Sequence, residues 1–118
     1  MFEAEDIRDW RERDVVDEGG SKIGSLEAVY FDTATDQPTF ATVKVGLVGR
    51  RRLVFVPLAG AAVAPNHLRV CVDKRAVKSA PSIDVDGELT AADEPKIFEH
   101  YNLAYRPGAT GERRLGRR

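Results

Sequence analysis

At 118 residues and 13.0 kDa, with 42% hydrophobic and 31% charged residues, the chain has room for one domain with a modest core. No run approaches the roughly 18 apolar residues of a membrane helix, and the single cysteine, Cys71, excludes an intrachain disulfide or a thiolate metal cluster. The formal charge of −1 divides unevenly: five arginines against Glu112 give residues 106–118 a net of +4 and leave −5 on the other 105 residues, unlike a nucleic-acid module with a basic stripe across its folded surface.

The chain opens Met-Phe-Glu-Ala-Glu-Asp, without the basic region and apolar stretch of a secretory signal, so the expected compartment is the cytoplasm. Phe2, Ile7 and Trp10 stand at a spacing that suits one short helical turn over residues 1–11. Trp10, the only tryptophan, reads either as a lid over one end of the fold or as an anchor for a partner. Residues 13–17 make a short strand that enters a Glu-Gly-Gly-Ser turn. A long strand follows over residues 22–32, rich in β-branched and aromatic side chains and closed by Asp32. Gly24 interrupts it early, where a missing side chain permits a bulge or a sharp bend.

A turn over residues 33–38 leads to a strand over residues 39–47 that alternates well. Ala41, Val43 and Val45 form its expected core face, with Phe40, Thr42 and Lys44 on the other. Residues 46–50 connect a hairpin to the strand at 51–58, which is apolar on both faces from Leu53 to Leu58. A strand with one buried face would alternate, so something must cover the second face, either the terminal helix or another subunit. Residues 59–66 are a connection of small side chains, and Leu68, Val70 and Val72 give a last strand.

The period then changes. Residues 73–79 have the polarity of a helical turn N-capped by Asp73 and stopped by Pro81, and residues 82–88 form an acidic turn. Residues 90–103 carry an apolar helical stripe of Ile97, Phe98 and Tyr101, with Asp93 as N-cap and Pro95 in the tolerated first turn. The expected fold is mainly β, a small twisted barrel with a short helical turn and a C-terminal helix, spanning residues 1–104 and trailed by a basic, disordered tail over 105–118.

Few residues suggest chemistry. His67 and His100 fall in different elements with no third ligand at fixed spacing, so both read as structural. Cys71 points with Arg69 away from the core, and no histidine is placed to act as its base. Asp84, Asp86, Gly87, Leu89 and Asp93 imitate a calcium loop, but serine stands at its first position and a short aspartate at its last. A turn entering a helix accounts for the same residues. Arg50, Arg51 and Arg52 at a hairpin tip would suit phosphate contacts, or keep strand edges from associating. No cofactor or metal site is implied, and an enzyme is not expected.

Gly20-Ser-Lys-Ile-Gly-Ser-Leu-Glu-Ala-Val-Tyr-Phe-Asp32 resembles the signature of the PRC-barrel domain, a fold shared by the reaction-centre H subunit and a ribosome maturation factor. Val45-Gly-Leu47, Phe55-Val-Pro-Leu58 and Leu68-Arg-Val70 continue the likeness in order. Asp73-Lys74, Ser79-Ala-Pro81 and Glu99-His-Tyr-Asn-Leu103 are similar to the stand-alone actinobacterial type. Cys71 and Pro95 depart from it, standing where a proline and an acidic or small helix former are expected. The resemblance implies a PRC-type β-barrel that works through protein contacts rather than catalysis. The expected contact residues are Trp10, Phe40 and Phe55, and a homodimer that buries the second face of strand 51–58 is expected. The alternative is an RNA- or ribosome-associated factor that uses Arg50, Arg51, Arg52 and the tail.

Overall fold

The computed structural model describes residues 12–46, 51–85, 87–103 and 115–117. They form strands β1 (Asp14–Val16), β2 (Lys22–Asp32), β3 (Pro38–Val45), β4 (Arg52–Pro57), β5 (Ala62–Val63), β6 (His67–Arg69), β7 (Ser82–Asp84) and β8 (Leu115–Arg117). Two short helices accompany them, α1 (Lys74–Lys78) and α2 (Glu94–His100). The sheet runs β5-β6-β1-β2-β3-β4-β7, with β8 beside β2. Every pairing is antiparallel except that of β1 with β6.

β2 is the spine, and two irregularities bend it. Val15 faces Gly24 while Val16 faces Lys22, so Ile23 is an extra residue against β1. Leu26 faces Val43 while Ala28 faces Thr42, so Glu27 is an extra residue against β3. The second bulge reverses the side-chain alternation: Leu26 points to the inner core, and after the bulge Val29 and Phe31 do. Glu27 turns its carboxylate to the Thr42 hydroxyl, which donates at 2.7 Å.

The sheet buries both faces. Leu26, Val29, Val43, Val54, Val56 and Leu68 meet on the inner one, joined by Val77 of α1. Ala41 and Val43 lie there as their alternation predicts, with Val45 partly buried against them. On the outer face Tyr30, Phe40 and Phe55 pack beneath Leu89, Ile97 and Phe98. Phe55 meets Tyr30 edge-on at 5.1 Å, and Phe40 meets Phe98 at 5.0 Å. Of the two covers expected for β4, the chain's own terminal helix is the one found. Tyr101, just beyond α2, donates its hydroxyl to the Phe55 carbonyl at 2.6 Å, and burial pushes that phenol well above the usual tyrosine range.

This arrangement corrects the expectation for Phe40 and Phe55, both 0% exposed inside their own chain and closed to any partner. Periodicity marks a strand face as apolar without saying what covers it. Trp10 and Arg50 lie outside the described residues. The helix over 90–103 is also shorter than expected. Asp93 holds the N-cap position without a side-chain cap bond, and its amide donates to the Thr90 hydroxyl oxygen at 3.2 Å. Against the expected disorder, part of the tail is a strand: Leu115–Arg117 pairs with Tyr30–Asp32, and Leu115 is buried in the aromatic cluster, while residues 105–114 lie outside the described residues. Because β1 has only three residues, the last residues of β2 keep an edge on which β8 settles.

Candidate functional site

A hollow lies where the starts of β2 and β4, the end of β3, and α1 come together. It is a cleft of about 630 Å³ floored by Ile23, Val45, Val54 and Val77 and rimmed by Arg52, Lys74 and Lys78. A shallower hollow of about 420 Å³ adjoins it, sharing Ile23, Val45 and Gly46 and adding Lys22, Lys44, Arg51 and Glu12. Sequence order explains the mixture. The bulge at Ile23 leaves an apolar side chain partly buried against the inner core and lining the cleft. Val45 and Arg52 face one another across β3 and β4, at the point where the hairpin begins. On α1, Lys74, Val77 and Lys78 recur at three- and four-residue spacing and so share one face.

α1 has five residues, too few to stand alone, and the rest of the fold pins it. Asp73 caps it by accepting from the Arg75 amide at 2.7 Å, as its sequence position predicts. Asp17, at the end of β1, takes the Gly19 and Ser21 amides on one carboxylate oxygen at 2.9 and 2.8 Å, and the Lys74 amide on the other at 3.3 Å. The Ser21 amide, helped by those of Lys74 and Gly19 and by the Lys74 charge, holds its carboxyl below the usual carboxylate range. From the other side, the His100 ring donates through Nε2 to the Ala76 carbonyl at 2.7 Å. One helical turn is thus tied both to the first hairpin and to α2.

The cations differ in their company. Lys22 pairs with Asp14 at 3.2 Å, and Lys44 with Glu12 at 3.4 Å. Among the described residues no carboxylate stands within ion-pair distance of Arg51, Arg52, Lys74 or Lys78. Arg52 donates instead to the Lys78 carbonyl at 3.5 Å. The larger cleft therefore combines an aliphatic floor with three cations that lack a close ion-pair partner among the described residues, Asp17 acting on Lys74 from beyond that distance. Its described lining consists of aliphatic, glycine, arginine and lysine residues. Such a surface can hold an apolar side chain beside carboxylates.

Of the residues marked in the sequence, Arg51 and Arg52 are brought to this hollow, while Phe40 and Phe55 lie under α2. Asp84 ends β7, Leu89 is buried, and the Asp93 carboxylate sits 3.4 Å from the Lys96 ammonium. Among the described residues, no group of three His, Cys, Asp or Glu side chains is placed to hold a metal ion. Cys71 is exposed, with Sγ 3.1 Å from the Gly60 carbonyl oxygen, and the half-buried His67 starts β6. Sequence reasoning missed Lys74, Lys78 and the anchoring role of Asp17. The signal for Asp17 was present: an aspartate two residues before a glycine is the start of an Asx turn.

No curated protein matches the chain. The family model of the PRC-barrel domain matches residues 2–77, about two thirds of the sequence and every strand from β1 to β6 together with the first four residues of α1. With a mainly β architecture built on a twice-bulged β2, this match shows that the chain belongs to the PRC-barrel family.

Proposed function

We propose that this PRC-barrel protein is a non-catalytic binding module of the cytoplasm that docks on a protein through the cleft between β4 and α1. The observation that carries this reading is the pairing of an aliphatic floor with Arg52, Lys74 and Lys78, none of them within ion-pair distance of a carboxylate among the described residues. A desolvated aliphatic centre with a charged rim is the general anatomy of a protein contact surface. The rim steers an acidic partner, and the floor takes its apolar side chain.

The experiment compares the full chain with a Lys74→Glu/Lys78→Glu variant as bait in nuclease-treated cell extract. A protein retained by the native chain and released by the variant supports docking at the cleft. Equal capture by both baits contradicts it.

A second reading, an RNA- or ribosome-associated factor, draws on Arg51 and Arg52, both exposed and free of carboxylates among the described residues. It requires an association that weakens steeply with salt and disappears on nuclease treatment. The net charge of −5 outside residues 106–118 weighs against it.

A further inference from the structure

The cleft has a complement on the same molecule. β7 ends the ladder and pairs only with β4 among the described strands, where Asp84 stands directly opposite Arg52. Immediately beyond, the chain leaves the sheet in a turn closed by the Gly87 amide on the Asp84 carbonyl at 2.8 Å. Val85 is 43% exposed there, one of the few large aliphatic side chains left in solvent among the described residues, with exposed Asp84 before it and exposed Glu88 three residues on. An aliphatic side chain between carboxylates is what the aliphatic floor and basic rim would receive. The turn lies beside its own cleft, about one strand spacing of 4.8 Å from Arg52.

Adjacent patches of opposite character form the arrangement that a two-fold axis satisfies twice, because residue i then meets residue j and j meets i. We infer that the occupant of the cleft is a second copy of this chain, in an isologous dimer where Val85 of each protomer enters the partner's cleft. Asp84 and Glu88 then face the partner's Lys74 and Lys78. The inference rests on the reading of the cleft as a docking surface and names what docks there. Among the described residues the rim cations have no carboxylate within ion-pair distance, and in the dimer the other protomer supplies their counter-charges. The surface differs from the second face of β4, which α2 already covers.

The test is sedimentation velocity on the purified full chain over a range of concentration and salt. The dimer fraction rises with concentration and falls with salt. Lys74→Glu/Lys78→Glu and Asp84→Lys/Glu88→Lys each weaken self-association at least about tenfold. Mixing the two variants restores a dimer, because each reversed cleft now meets a reversed turn. Val85→Ser, a small change at an exposed position, also weakens the dimer, and circular dichroism checks that every variant is folded. A native chain still monomeric at about 1 mM overturns the inference. So does a dimer indifferent to both charge reversals, or a mixture of folded variants that stays monomeric. A monomer that still loses a captured protein on Lys74→Glu/Lys78→Glu refutes self-association alone. A monomer whose capture is unchanged by that variant refutes the docking cleft as well.

Discussion

The backbone carbonyl of Lys44 occupies the place where a Cβ on Gly24 would stand, with a Val43 methyl close behind it. The obstruction is a neighbouring strand rather than a flexible side chain, so it cannot step aside. β2 and β3 approach this closely just where the Ile23 bulge turns the spine and begins the cleft. Gly24→Ala is therefore expected to cost about 1–3 kcal/mol by overpacking. Chemical denaturation measures that loss, and a midpoint equal to the native one would contradict the close approach.

Phe55 fills the outer core between the sheet and α2. Phe55→Ala removes a fully buried ring and its edge contact with Tyr30. The expected loss is about 3–5 kcal/mol, a large part of the stability of a domain this size. Thermal unfolding reads it directly. A Phe55→Ala protein of native stability would mean that the ring packs against something outside the chain.

Asp17 links stability to pH. Its folded carboxyl lies below the usual range, so the stability it provides is fully present above the unfolded value of about 3.9 and is lost as pH falls through the folded value. Asp17→Asn keeps the shape but turns an amide donor toward one of the three amides that the carboxylate accepts. The variant unfolds at a lower temperature than the native chain at neutral pH, and the gap narrows as the solution is acidified below about pH 4. A gap constant across that window would remove the charged carboxylate from the account.

Tyr101 fastens the end of α2 to β4 by one hydrogen bond, from its hydroxyl to the Phe55 carbonyl. Tyr101→Phe preserves the ring contact with Phe40 and removes only the hydroxyl. A loss of about 1 kcal/mol is expected from equilibrium denaturation. Amides of α2 should then exchange faster with solvent while those of β3 stay unchanged.

Much of this molecule is legible in its order of residues. Glycine within a β-branched run located the bend in β2, the alternation of Ala41 and Val43 located the inner core, and Asp73 announced α1. These are local signals, fixed by the stereochemistry of a few consecutive residues. The double apolar face of β4 was equally plain, but its cover was not, because the α2 segment is brought to Phe55 by a contact 46 residues distant in sequence. The cleft was hidden for the same reason. In sequence Arg52 stands out only as part of a hairpin-tip run and Lys78 not at all, and the two become one rim only when β4 and α1 are laid side by side. The basic tail misled through its composition, which conceals that Leu115 can fill a vacancy in the aromatic cluster.

The most direct measurement is a concentration series of amide NMR spectra on the labelled full chain. The account predicts that raising the concentration shifts the signals of Ile23, Val45, Arg52, Val77 and Lys78 together with those of Val85 and Glu88, and that added salt reverses the shifts. Signals that never move with concentration, or that move only on the opposite edge around β5 and β6, would contradict it.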